Sequence, residues 1–325
     1  MDCVPVLPVH KANNETKYHE IAKYFTSCFG SSPQFFARVP GRVNLIGEHI
    51  DYCGFSVLPM AIDQDIVLAV GINYGDILNL INFHGDKYEK FSSSVKDLNI
   101  DTSSPRWYHY FICGFRGIAE KYDIPFKGLD VVVKGIIPPS SGLSSSSALV
   151  CASALATSFA NRIFPSKMEI ASICAEAERY IGTQGGGMDQ AIAFLAEPGT
   201  AKLIEFNPLR ATSVTLPKGV AFVVSNSCVA MNKAATSQYN MRVMECKLAA
   251  KVLAKCFGFN WRRVEKLAEI PILLGKDVSE MTLVIKDVLS STFYSRPELC
   301  SILEISEFEF TSLLTKNTLH MEEFQ

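Results

Sequence analysis

Pro138-Pro139-Ser140-Ser141-Gly142-Leu143-Ser144-Ser145-Ser146-Ser147-Ala148 follows a β-like run at 129–133 and opens an alanine-rich segment that continues to residue 160. Strand, glycine turn, helix start is the order that a phosphate site requires. The glycine lets the backbone come close, and the free N–H groups of the helix start face the anion with the positive end of the helix dipole behind them. First-turn hydroxyls also reach a bound Mg²⁺. The stretch has no GK[ST], which excludes a Walker loop, and its glycine spacing does not meet GxGxxG. A serine-rich N-cap without a ligand is the plainer alternative.

Strands and helices alternate outward from this loop. Residues 16–29 place Tyr18, Ile21, Phe25 and Phe29 at helical spacing before Gly30, which predicts an amphipathic helix. Segments 34–40, 66–72 and 129–133 read as strands of a mixed sheet, while 107–122 and 143–160 have helical length and rhythm. A further helix over 168–181 starts behind Ser166 as N-cap. The interleaving predicts an α+β protein. Pro208, Pro217 and Gly219 precede an apolar run at 220–225, expected to be a strand, so a domain boundary is placed near residue 216, dividing the chain into 1–215 and 216–325. Beyond it, 236–257 predicts a long helix with Met241, Met244, Leu248, Val252 and Cys256 on one face. The last fifty residues give short helices and loops, with no closing strand or glycine-rich turn expected.

With 325 residues and 48% apolar content the chain buries a sizeable core. Its 31 basic and 33 acidic residues nearly balance, which argues against a nucleic-acid partner. The ten cysteines form no CxxC pair or ligand cluster, and they read as reduced small hydrophobes. No signal segment is read in residues 1–20, and the weakly polar stretch 148–160 is shorter than the roughly 20 residues of a membrane span. A cytoplasmic chain without a membrane partner is expected.

Two more polar clusters flank the serine loop. Gly41-Arg42-Val43-Asn44-Leu45-Ile46-Gly47-Glu48-His49-Ile50-Asp51-Tyr52 offers a cation, two carboxylates, an amide and an imidazole between two glycines. Carboxylates and histidine each grip paired sugar hydroxyls while arginine faces a phosphate. A polar loop with an incidental ion pair is the alternative. Gly185-Gly186-Gly187-Met188-Asp189-Gln190 puts a carboxylate on a tight turn that a substrate can approach, which makes Asp189 a candidate general base. Upstream, either Glu176 or Glu178 could complete a Mg²⁺ shell, the alternative for each being a solvated helix face.

In this order the three clusters resemble the GHMP kinases, and the 41–52 run resembles the galactokinase branch in particular. Within that branch, the strings at 140–147 and 185–189 and Met231-Asn232-Lys233-Ala234-Ala235-Thr236-Ser237 look more like the N-acetylgalactosamine kinases than the galactokinases proper. The resemblance runs from about residue 36 to the end of the chain. It implies two domains, an N-terminal one like ribosomal protein S5 domain 2 and a C-terminal ferredoxin-like one, with the site between them. It also implies ATP, Mg²⁺ and a sugar substrate, N-acetylgalactosamine with galactose as a second acceptor, on a monomer. Arg42, Glu48, His49, Asp51, Asp189 and Tyr239 would contact the sugar, with Asp189 and Arg42 catalytic. Gly142, Ser144, Ser145, Ser146, Asn232 and Lys233 would hold ATP, and Ser146 and Glu178 would be the magnesium ligands.

The family's third motif, of the form Gly-Ala-Gly-Trp-Gly-Gly, does not occur, so the ferredoxin-like domain is expected to be incomplete. A rival reading is a regulator that binds sugar and nucleotide without phosphoryl transfer, or a truncated kinase that no longer turns over. Regulators of that type are altered in the serine loop, and here it is intact. A mevalonate or homoserine kinase would keep the serine loop but has no reason to carry Glu48, His49 and Asp51.

Overall fold

The computed structural model describes all residues except 1, 12–14, 226, 230–236, 290–292 and 325. Helix α1 (Glu15–Phe29) precedes strands β1 (Phe35–Asn44), β2 (Pro59–Ile72), β3 (Ile77–Asn82) and β4 (Phe91–Ser94). Helix α2 (Trp107–Lys121), strand β5 (Leu129–Gly135) and helices α3 (Ser145–Ala160), α4 (Lys167–Ala177) and α5 (Met188–Leu195) follow. A hairpin of β6 (Thr200–Phe206) and β7 (Leu209–Thr215) closes this part, and its two strands are joined through Asn207 and Pro208.

Five strands form one sheet in the order β1-β2-β5-β3-β4. Only the β3/β5 pair is parallel, with Leu80 opposite Val131. Side chains alternate across such a sheet, and both faces are buried. Val67, Ala69, Ile81 and Val132 face α1 and pack on Ile21 and Phe25. Ile66, Leu68, Val70, Leu80, Val131 and Val133 share the opposite core with Phe111, Phe115, Ile118 and Val150. Ile21 and Phe25 are almost wholly buried, and each stabilises the docked helix by about 2–3 kcal/mol.

The helical expectations hold within a residue or two at 15–29, 107–121 and 145–160. Ser166 caps α4 as read, its side chain accepting from the Glu169 amide. The expected 168–181 helix changes winding at Glu178, where a 3-10 turn covers Glu178–Ile181. The helices α2 and α3 cross so closely that a Cβ added at Gly114 would sit 2.1 Å from the Val150 carbonyl oxygen. Gly114→Ala is therefore expected to destabilise the protein by about 3 kcal/mol, because the clash outweighs the gain in helix propensity. Urea unfolding checks this.

Past the hairpin the chain is helical. Helix α6 (Gln238–Cys256) precedes α7 (Glu269–Leu274), α8 (Val278–Val288), the short strand β8 (Tyr294–Ser295), α9 (Arg296–Leu303), α10 (Glu307–Leu313) and strand β9 (Glu323–Phe324). Met244, Leu248 and Val252 of α6 form a second core with Trp261, Ile270 and Phe310. Met241 is only partly buried and Cys256 is exposed, so the helical stripe holds at its centre and not at its ends.

Two expectations are corrected. The run 220–225 is not a strand, and its Val220, Phe222, Val223 and Val224 are exposed. A strand needs a ladder partner, and none pairs with this run among the described residues. Some closing strand does exist, since Tyr294 pairs with Phe324 and Ser295 with Glu323. No longer strand occurs beyond residue 215 among the described residues. The mixed α+β fold is as expected, and the few short strands described past residue 215 are consistent with the incomplete C-terminal domain that the sequence predicts.

Candidate active site

Arg42 lies near the end of β1, just past a register shift between Pro40 and Arg42. Such a bulge re-aims the side chain that follows it. Arg42 as a whole is 3% exposed. Its Nε donates to Asp189 Oδ1 at 2.7 Å and its Nη1 to the Gly142 carbonyl at 2.5 Å. The Arg42 amide donates to the Leu143 carbonyl at 3.2 Å. One residue therefore links Asp189 to the serine loop. Burial opposes the guanidinium charge, but the carboxylates of Asp189, Glu48 and Asp51 outweigh it and hold Arg42 more firmly protonated than usual.

Asp189 opens α5 behind Gly187, which stands at φ +102°, where an L side chain is strained. A Cβ on Gly186 would lie 2.3 Å from the backbone of Asp51 and Tyr52. The glycine run and the 41–52 loop thus meet backbone against backbone. Asp51 Oδ2 accepts from the Gly186 amide at 3.2 Å. Glu48, His49, Asp51, Ser147, Glu178, Asp189 and Tyr239 line one cleft, together with Thr183, Met188 and Gln190. Of the residues read as sugar contacts, Glu48, His49, Asp51, Asp189 and Tyr239 line this cleft, and Arg42 meets it only through Asp189. Tyr239 comes from α6, and its ring stands 5.3 Å from His49 and 5.8 Å from Tyr52. His49 Nδ1 and the Tyr52 hydroxyl are 2.9 Å apart. Burial, with Asp51 and Asp189 beside it, raises the Tyr239 phenol well above its ordinary pKa, so it stays a hydrogen-bond donor.

The carboxylate Glu178 is buried, while Glu176 is exposed on the helix face. The hydroxyl that meets Glu178 belongs to Ser147 and not to Ser146, at 2.9 and 3.0 Å from its two oxygens and 3.2 Å from Asp189 Oδ2. Gln190 Nε2 donates to the same carboxylate. Ser145 and Ser146 form the first turn of α3, and Ser144 precedes it in the left-handed region at φ 62° without a side-chain cap bond. Ser144 Oγ and Asn44 Oδ1 are buried with no partner among the described residues. The orphaned Ser144 hydroxyl, directly before a helix start, leaves polar capacity for a ligand. Asn232 and Lys233 lie outside the described residues.

Sequence reasoning passed over Ser147, Gln190, Tyr52 and Asn240. Asn240 is 1% exposed. It donates to the Gly182 carbonyl at 2.7 Å and accepts from the Gln184 amide at 3.1 Å, so α6 holds the backbone leading into the glycine run. Asn240→Ala would orphan both groups and is expected to lower stability by about 2 kcal/mol. Thermal or urea unfolding reads this.

Two family models match the chain, the galactokinase galactose-binding signature over residues 23–72 and the GHMP kinase N-terminal domain over 109–197. Galactokinase of Dictyostelium discoideum is 40% identical over 95% of this chain and 65% of its own length. Galactokinase of Saccharomyces cerevisiae is 41% identical over 74% of this chain and 50% of its own length. Galactokinase of Candida maltosa is 37% identical over 59% of this chain, which spans 92% of it. The chain thus spans about two thirds of the first of these relatives and half of the second. A Lactococcus lactis galactokinase structure, complexed with galactose, superposes with a TM-score of 0.67 at 20% identity over 91% of this chain and 72% of that one, a likeness of fold. No described helix is long and apolar enough to cross a membrane. With this fold, these two matched models and the Candida maltosa relative covered almost end to end, the chain belongs to the galactokinase family of the GHMP kinases.

Proposed function

We propose that this chain is an ATP-dependent sugar 1-kinase that phosphorylates the anomeric hydroxyl of N-acetylgalactosamine and accepts galactose as well. The observation that carries the reading is the Arg42 bridge, which ties Asp189 at the cleft floor to Gly142 of the serine loop. A sugar hydroxyl beside Asp189 would face a phosphate seated on that loop. Galactokinase relatives and a galactose-bound structure of like fold support a hexose in the cleft. The N-acetyl preference rests on the strings at 140–147, 185–189 and 231–237. One altered loop beside a ring carbon suffices for such a change of substrate.

In this reading Asp189 accepts the proton of the anomeric hydroxyl as the sugar oxygen attacks the γ-phosphorus of ATP, and the bond from that phosphorus to the β,γ-bridging oxygen breaks, with ADP leaving. Glu48, His49, Asp51 and Tyr239 orient the sugar. Arg42 keeps Asp189 ionised and offsets charge that develops on the phosphoryl group. Gly142 and Ser144–Ser146 cradle the nucleotide phosphates, joined by Asn232 and Lys233. The hard oxygen donors around Glu178 suit Mg²⁺, which needs only one or two carboxylates beside phosphate oxygens. Glu178 with Ser146 and the neighbouring Ser147 would hold the ion, and the bound ion would neutralise phosphate charge. Residues 1–215 would form the first domain and 216–325 the second.

ADP release by the 325-residue chain with Mg-ATP, in parallel with N-acetylgalactosamine, galactose or no sugar, tests the reading. Faster release with N-acetylgalactosamine than with galactose is expected. Faster release with galactose overturns the sugar preference, and no sugar-dependent release from folded protein overturns the kinase reading in favour of a binding module.

A further inference from the structure

Cys53 ends the 41–53 segment of the cleft, directly after Tyr52, and is 4% exposed. Cys246 sits two turns along α6 from Tyr239 and is half-buried. Cys246 packs against a small cluster built on Tyr52, Cys53 and Tyr239, and the two thiols interact within it. Two cysteines on different elements therefore meet behind the aromatic wall of the cleft. We propose that Cys53 and Cys246 form a reversible disulfide that staples α6 to the sugar loop, with a small-molecule disulfide such as glutathione disulfide as the oxidant.

The chemistry is a double exchange. Cys246 as thiolate attacks one sulfur of glutathione disulfide, and one glutathione leaves as a thiolate that takes up a proton. Cys53 then loses its proton and attacks the Cys246 sulfur of the mixed disulfide, releasing the second glutathione. Two protein thiols are oxidised to one disulfide, and the oxidant is reduced to two thiols. The order follows from the surroundings. Cys246 is half-buried whereas Cys53 is 4% exposed, and the Arg242 guanidinium lies near enough to favour the Cys246 thiolate. Burial and the neighbouring Asp51 carboxylate favour the protonated Cys53 thiol. Cys246 is also the member that a solvent-borne oxidant can reach. A second touching pair, Cys151 and Cys174, is completely buried between α3 and α4 and offers no entry.

Bond formation needs the sulfurs to close to about 2.05 Å, which draws α6 toward the loop that carries His49 and Asp51. Tyr239 moves with α6, and the cleft narrows. The effect on sugar binding rests on the reading of the cleft given above, whereas the disulfide does not.

The test equilibrates the full chain in glutathione buffers of increasing disulfide content, followed by alkylation and peptide mass analysis. Expected is a Cys53–Cys246 linked peptide pair about 2 Da below the sum of its reduced peptides, while exposed Cys228 and Cys256 take only glutathione adducts. N-acetylgalactosamine affinity, read by calorimetry, should fall at least tenfold in the oxidised chain and return with dithiothreitol. Cys246→Ser should bind sugar normally and ignore the oxidant. A lasting glutathione adduct on Cys246 with no linkage to Cys53 overturns the proposal, as does linkage with unchanged affinity. If the reduced chain binds no sugar, the kinase reading fails and the peptide masses alone decide the disulfide.

Discussion

Asp189→Asn should lower turnover at least a thousandfold while nucleotide binding stays within a few-fold of the parent. A general base contributes about 10² to 10⁴ in rate, and the amide cannot take the proton of the sugar hydroxyl. The substitution also removes the negative partner of Arg42, whose Nε and Nη2 both meet Asp189 Oδ1 at 2.7 Å. The nucleotide loop keeps its shape, because Arg42 still donates to Gly142 and its backbone still donates to Leu143. Steady-state kinetics beside nucleotide titration separates the two effects. Turnover within tenfold of the parent would remove Asp189 from the role of base.

Arg42→Ala should be at least as damaging, and it should also weaken the fold. It strips the compensating charge from Asp189, whose side chain is only 15% exposed, in a cleft that also holds Glu178, Glu48 and Asp51. Removing one member of a buried pair costs about 3–5 kcal/mol, and the partial exposure of Asp189 places the expected loss near the lower end. Arg42→Lys restores a charge but not the fork that holds Asp189 and Gly142 together, so it should recover stability more than activity. Denaturant midpoints and kcat/KM for the two variants read this split. Equal recovery of both by lysine would reduce Arg42 to a counter-charge.

Where pattern and local chemistry suffice, the sequence was readable. The α1 stripe, the Ser166 cap and the strand-turn-helix around Gly142 all rest on neighbours within a few residues. Pro208, which turns the hairpin at 200–215, reads in sequence as part of the approach to a boundary, since a proline marks a break in the chain and equally a turn between paired strands. Residues 220–225 show the converse, an apolar run that pattern alone makes a strand and that lacks a ladder among the described residues.

Within the cleft, the motif residues were legible because their types announce their chemistry. Ser147 and Asn240 were not, because their roles depend on contacts 31 and 58 residues away in sequence. Ser147 looks like one serine among four until Glu178 is placed beside it. The tighter winding at Glu178–Ile181, which separates Glu178 from the exposed Glu176, leaves no mark in apolar periodicity.

The meeting of the glycine run with the sugar loop bears on how the chain reaches its native state. Arg42 joins Asp189 across 147 residues and Asp51 joins Gly186 across 135. Contacts of such span close large loops, whose entropy is lost before any local structure repays it. The sheet and its helices can form from nearer neighbours, so the cleft is the last feature to be completed. A nascent or partly refolded chain would carry nearly all of its secondary structure and no functional pocket. Recovery of ligand binding should therefore lag recovery of helical signal during refolding, and an immobilised ligand would retain only molecules that had finished.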